Sequence, residues 1–321
     1  MTGSSSPDHS PRTQNRNAGG AGSPLSRRRL LAVLGLGACG ARALWARDAF
    51  GEEPAELALV RNASPKELTR RALAALGGME RFVTTGNRVV IKPNIGWDRT
   101  PEQGANTHPD VVAELVRLAR AAGAKNVRVM DHTCNDPRRC YRRSGIEAAA
   151  REAGAEVIHL RPGRGTEMKI GGELIGAWPV HREVVEADVL INVPAAKHHS
   201  LTGASLGMKN WLGAIDGRRN QLHQRIWQAS ADLAGFFRPA LTVLDATRLL
   251  LRNGPQGGNP DDVSETRILM AGTDPVAIDA FGGTLFELSS EALPHLALAA
   301  AQGLGHADWQ RPGLVTLDLA G

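Results

Sequence analysis

A chain of 321 residues with 42% hydrophobic and 22% charged side chains has the apolar content for a sizeable core, which excludes a disordered chain or one made of membrane spans. The formal charge of +5 points at first to nucleic acid, but residues 1–46 hold six arginines (Arg12, Arg16, Arg27, Arg28, Arg29, Arg42) against the single acid Asp8. The remainder carries 32 basic and 32 acidic side chains. It has no electrostatic footprint for a polyanion, so no nucleic-acid partner is expected.

Residues 2–24 are rich in Ser, Gly, Asn and Pro and read as a disordered tail. Ser26-Arg27-Arg28-Arg29-Leu30-Leu31 then runs into an apolar stretch that ends at Ala38. The stretch is shorter than the ~20 residues of a bilayer span, is diluted by Gly35 and Gly37, and is followed by Arg42. This pattern resembles a twin-arginine signal peptide. It implies the twin-arginine translocase as a partner, a periplasmic or other extracytoplasmic location, and no stable membrane span in the mature protein. Ala41-Arg42-Ala43 is an A-x-A cleavage site, and removal after Ala43 is the preferred reading. Leu36-Gly37-Ala38-Cys39 is the alternative, a lipobox in which Cys39 would be acylated. The expected organisation is a tail and signal over 1–43, an N-terminal extension over 44–85 and an α/β domain over 86–321.

Beyond Gly86, β-rich runs alternate with helical patterns. Strands are predicted over 88–91, 126–130, 156–160, 188–193, 241–244 and 267–271. Helices are predicted over 111–122, 146–153, 222–236, 276–288 and 293–301. Pro109-Asp110 and Asp274-Pro275 mark helix starts. The glycine-rich stretch 163–179 reads as a small β excursion. Alternation of this kind predicts one mature α/β domain, with a mostly parallel sheet and helices on both faces.

The predicted strands end in polar clusters: Lys92-Pro93-Asn94, Asp131-His132, Lys197-His198-His199 and Asp245-Ala246-Thr247. Ligands of open α/β sheets bind beyond the carboxyl ends of the strands, and charged groups there are costly unless paired or at a mouth. Lys92, Asn94, Lys197, Lys209 and Asn210 are therefore expected to hold an anion, with Asp131, His198 and Asp245 moving protons. His198 and His199 are adjacent, so on a strand only one of them faces a given ligand. The stretch Thr202 to Asn210 is glycine-spaced and lysine-ended but lacks Walker A spacing. Cys134 and Cys140 are the cysteines left after the leader, and a disulfide between them is expected in an oxidising compartment. Two thiolates without a C-x-x-C cannot ligate a cluster that wants four, so no iron–sulfur cluster is expected. The sequence names no metal or other cofactor.

The ordered set Ile91-Lys92-Pro93-Asn94, His108-Pro109, Asp131, Lys197-His198, Lys209-Asn210, Gly254-Pro255 and Asp274-Pro275-Val276-Ala277-Ile278-Asp279 resembles the family called domain of unknown function 362. The resemblance runs from about Val89 to Leu288. It implies a common α/β domain with a site at these positions, and no particular reaction. Many relatives carry a ferredoxin-like module, which is missing from this sequence. Two functions are expected to compete: an exported enzyme acting on a small anionic substrate, and a periplasmic binding or carrier protein for an anion, metal or cofactor. An exported scaffold would be favoured only if the strand-end residues were scattered.

Overall fold

The computed structural model describes residues 55–311 and 313–320. The expected signal peptide, both cleavage sites and Cys39 lie outside the described residues. The described residues open with β1 (Leu57–Arg61) and α1 (Pro65–Ala75), two elements that lie inside the expected N-terminal extension. A first run of alternation follows: β2 (Arg88–Pro93), α2 (Pro109–Ala121), β3 (Asn126–Asp131), α3 (Pro137–Arg143), α4 (Ile146–Glu152) and β4 (Glu156–His159). The glycine-rich stretch is a separate two-stranded ribbon, β5 (Thr166–Lys169) with β6 (Ala177–Val180). Next come α5 (Arg182–Val185), β7 (Val189–Val193), β8 (Ala195–His199) and β9 (Gly203–Ser205). The chain ends with α6 (Ile226–Phe237), β10 (Leu241–Leu250), β11 (Val263–Gly272), α7 (Pro275–Thr284), α8 (His295–Ala301) and β12 (Leu314–Asp318).

Several helices begin in the same way, with a side-chain cap followed by proline. Ser64, His108 and Asp274 accept backbone N–H groups at the starts of α1, α2 and α7, and Pro65, Pro109 and Pro275 follow them. The cap satisfies donors that the first turn leaves free, and proline has no N–H there to waste.

The main sheet runs β12-β1-β11-β10-β7-β2-β3-β4. From β10 to β4 every neighbour is parallel, and β11 runs antiparallel to both β1 and β10. This is an α/β fold with a mostly parallel sheet. Alternate side chains feed two cores. Val89, Ile91, Val129 and Val243 pack with Leu68, Val112 and Leu115 from α1 and α2 on one face. Val90, Met130, Leu244 and Met270 pack with Leu233, Phe281 and Leu296 from α6, α7 and α8 on the other. Central parallel strands covered on both faces have no polar side, so Val89-Val90-Ile91 reads as an apolar run. Among the described residues, no helix is long and apolar enough to cross a membrane.

The structure corrects the reading near the carboxyl edge. β7 and β8 are separated only by Pro194, which has no N–H for a ladder. β10 pairs with β7 at Leu241 and Thr242, then continues past the predicted end to pair with β8 at Asp245 and Leu250. Lys197 to His199 are therefore strand residues, paired antiparallel with β9, instead of a loop. Asp245 lies inside β10 instead of at its end.

The Asp274 to Asp279 stretch has two structural tasks. Asp274 Oδ1 accepts from Val276 N and Ala277 N, both at 2.9 Å. Asp279, fully buried, accepts from Gly207 N at 2.7 Å and Met208 N at 3.0 Å and meets His295 Nε2 at 3.1 Å. It thereby braces the turn that leads to Lys209. Asp279→Ala should lower unfolding free energy by about 3 kcal/mol, because it leaves buried donors without an acceptor. Urea denaturation checks this, and a change below about 1 kcal/mol would show that the turn is held by other contacts.

Candidate functional site

The carboxyl ends of β2, β3 and β8 open onto a cavity of about 480 Å³. Its floor is set by a buried ion pair. Lys92 Nζ lies 2.7 Å from Asp131 Oδ1, with the two side chains 0% and 2% exposed, and donates to Pro93 O at 2.9 Å. Burial lowers the Lys92 pKa, opposed by the Asp131 charge. The other Asp131 oxygen accepts from Ile95 N at 2.6 Å, which fixes the path of the chain leaving β2. Lys92 therefore sits behind the cavity wall, while Asp131 lines it.

Above the pair lies a chain of amides. Asn192 Oδ1 accepts from Asn210 Nδ2 at 2.9 Å, and Asn210 Oδ1 accepts from Asn94 Nδ2 at 3.0 Å. Asn94 Oδ1 accepts from Lys197 Nζ at 2.8 Å, and the same ammonium donates to Ala105 O. Burial is the main cause that pushes Lys197 down to about 7, and nearby Lys209 and Lys92 add to it. Lys209 begins a 3-10 turn, Lys209–Ala214, anchored by Trp211, which stacks on Phe237 of α6. Burial, then the Arg219 charge, pushes Lys209 down to about 8, opposed only by negative charge at Cys134.

Asn94, Asp131, Lys197, Lys209 and Asn210 thus converge on one cavity. His198 and Asp245 do not line it. His198 Nδ1 accepts from Gly254 N at 3.1 Å and holds the loop that brings Pro255 to the cavity wall. The loop passes so close to the His198 carbonyl that a Cβ at Gly254 would collide with it. Asp245 is consumed by internal bonds: Oδ2 accepts from His108 N at 2.6 Å, and Oδ1 accepts from Thr247 N and Thr247 Oγ1.

His199 takes the place expected for His198. Strand alternation puts residues i and i+2 on one face, so Lys197 and His199 share the cavity side. Burial first, then Lys209, pushes His199 down to about 3, so it is neutral at ordinary pH, and it stacks on His223 at 6.0 Å between centroids. His132, Arg219 and His223 also line the cavity and were not singled out from the sequence. Asp131-His132 offered a signal for the first. Arg219 and His223 sit in a segment of 3-10 turns without a periodic pattern, and nothing in the sequence marks them. Arg219 clamps the loop after β3 by donating to His132 O and Leu212 O at 2.8 Å and to Thr133 O at 2.6 Å.

The expected disulfide is corrected. Cys134 and Cys140 are free thiols, the first exposed and the second buried. Cys134 lines the cavity, whereas Cys140 is carried into the core by α3, with Sγ 3.8 Å from Gly96 O. Burial pushes the Cys140 thiol up to about 11.

The family profile described as Domain of unknown function (DUF362) matches residues 89–284, more than half of the chain. The chain belongs to this family. The matched span runs from β2 to the last residue of α7 and contains every cavity residue named above. A thylakoid-associated protein of Synechocystis is 27% identical over 243 residues, covering 73% of this chain and 74% of that protein. The lactate racemase apoprotein of Thermoanaerobacterium thermosaccharolyticum matches 71% of this chain and 56% of its own, at 14% identity and a TM-score of 0.41. A Thermotoga maritima protein matches 70% and 59%, at 15% identity and a TM-score of 0.39. The chain therefore spans less than two thirds of either solved structure.

Iodoacetamide should modify Cys134 in the folded protein and spare Cys140, which needs unfolding to react. Peptide mapping by mass spectrometry reads both sites. Equal resistance of the two thiols in native protein, released by a reductant, would restore the disulfide.

Proposed function

We propose that the family domain of this chain is an exported enzyme that binds a small anionic substrate, of carboxylate or phosphate class, in the cavity at the carboxyl edge of its sheet. One observation carries this reading. Lys197, Lys209 and Arg219 line a cavity whose single carboxylate, Asp131, is already paired with Lys92. Cations collected at a mouth without matching acids favour an anion there. Asn94 and Asn210 would orient the ligand, because their amides are locked to each other.

The same groups suit proton transfer. An amine with a pKa of about 7, as for Lys197, exchanges its proton readily near neutral pH, which is where a general acid or base works best. His199, two residues along the same strand and pushed down to about 3, stays neutral and serves on the same wall as a hydrogen-bonding group, leaving proton transfer to Lys197. Lys92 acts as a positioning residue through Asp131. Conversion of a bound anion, as opposed to its binding alone, separates an enzyme from a carrier.

Titration calorimetry with phosphate, sulfate and small carboxylates tests the site. Lys209→Ala should weaken anion binding by roughly tenfold or more, equivalent to one lost charge-assisted hydrogen bond, while the exposed Lys125→Ala should not. Equal affinities for the two variants would sink the reading. Affinity should also fall as pH rises from about 6 to about 9. Lys197 and Lys209 lose their charges in that window, among Lys92, Arg219, Asp131, Cys134, His199 and His223. The ligand-free protein should gain stability as pH rises from about 7, because the unfolded chain keeps these protons up to the usual lysine range.

Export by the twin-arginine route is part of the same proposal, supported by Arg27-Arg28 and the glycine-diluted apolar run behind them. Changing Arg27 and Arg28 together to Lys should leave precursor in the cytoplasm when the fractions are immunoblotted. Undiminished export of that variant would overturn this part, and palmitate labelling lost on Cys39→Ala would move the cleavage site to Cys39.

A further inference from the structure

Behind the cavity wall, three buried side chains from three separate segments meet. His132 follows β3, His181 begins the short α5, and Asp216 follows the Lys209–Ala214 turn. A potential ligand atom of each lies within 4.8 Å of the other two. His181 is fully buried, and His132 and Asp216 are 7% and 4% exposed.

The proton arrangement at this point is unresolved by the protein alone. His132 Nδ1 lies 2.9 Å from Ile215 O and 3.3 Å from His181 Nε2. If His132 Nδ1 carries the proton, it serves the carbonyl, and the proton on His181 falls on Nδ1, which has no partner. If His181 Nε2 carries the proton, the His132 Nδ1 lone pair faces the Ile215 carbonyl lone pairs. Neither neutral arrangement satisfies all the buried atoms, an outcome native interiors avoid. The separation also has a second meaning. A tetrahedral ion with metal–nitrogen bonds of ~2.0–2.1 Å holds neighbouring ligand nitrogens about 3.3–3.4 Å apart.

Asp216 is oriented as a ligating carboxylate would be. Oδ1 accepts from Gly217 N at 2.8 Å and Oδ2 from Gly165 N at 2.7 Å, leaving a lone pair on each oxygen. Among the described residues, Asp216 has no salt-bridge partner to neutralise it.

We propose that His132, His181 and Asp216 bind one divalent transition-metal ion, with zinc as the representative case. Two imidazoles and a carboxylate suit such an ion, whereas calcium and magnesium prefer all-oxygen sets. Bound there, the ion would tie together the loop after β3, the β6–α5 turn and the segment that carries Lys209. Because His132 also lines the cavity, the ion would lie beside the anion site and outside its lysine set. This proposal does not depend on the anion reading, and either can fail alone.

The test uses the full chain, purified without a histidine tag and stripped with a chelator. Zn²⁺ is titrated in competition with a chromophoric chelator, and Co²⁺ is followed by its visible absorption. One equivalent per chain is expected, and His181→Gln should weaken it at least about tenfold, with Asp216→Asn doing the same. Zinc-edge X-ray absorption of the wild-type protein should show two imidazoles and no sulfur, a result that needs no variant to fold. Absence of tight binding in the wild-type protein would overturn the site. So would sulfur in the first coordination shell, or unchanged affinity in folded His181→Gln.

Discussion

Lys92 and Asp131 bring opposite charges to 2.7 Å where almost no water reaches. Removing two charges from water costs several kcal/mol per ion, and their attraction offsets this only with good geometry and further hydrogen bonds. Here those bonds exist: Pro93 O accepts from the ammonium, and Ile95 N donates to the carboxylate. Such a pair adds little net stability but tolerates very few arrangements around it. The chain leaving β2 must turn toward Asp131. The Lys209–Ala214 turn must lie flat on the pair, so Gly213 stands where any Cβ would strike Asp131 and crowd the Lys92 ammonium. The placement of Lys209 and Asn210 follows from that contact.

The central strands were legible in the sequence because burial on both faces removes polar alternation and leaves apolar runs such as Val127 to Met130, interrupted only by Arg128. The helices were legible where a cap and a proline coincide. The edges were not. β1 pairs parallel with β12 and antiparallel with β11, partners more than 200 residues away, and local composition carries no trace of such pairing. The strand predicted over 241–244 stops short of the full β10 because the polar cluster Asp245-Ala246-Thr247 interrupts the apolar run. The carboxylate can stay within the strand because His108 N and Thr247 supply its hydrogen bonds.

At the site, lysine, asparagine and aspartate residues directly after apolar strands carried a usable signal, since ionic groups seldom occupy such positions without a partner or a mouth. Lys92 found a partner, and Lys197 and Lys209 found the mouth. The same logic misplaced Asp245, whose partners are the backbone N–H of His108 at a distant helix start and the neighbouring Thr247. Arg219 and His223 escaped because they lie in irregular turns, where neither periodicity nor a motif predicts direction. The aspartates of the 274–279 stretch build structure: one caps a helix, and the other braces the turn that carries Lys209.

The pairing of β8 with β9 and β10 limits how this site can vary. Lys197 and His199 face the cavity because they are two residues apart on a strand, and His198 faces the Gly254 loop for the same reason. A register slip of one residue would bring Ala196 and His198 to the cavity and turn the lysine away. Substitutions in β8 change one group at a time, but a single-residue insertion or deletion exchanges the whole wall. The bend between β5 and β6 is held differently, by its backbone: Glu173 N, Leu174 N and Ile175 N donate to the buried Asp232 carboxylate, and a Cβ at Gly172 would strike it. Length changes are therefore incompatible with the five residues from Ala195 to His199, whose side chains would all change face, and in the β5–β6 bend they would break the clamp on Asp232.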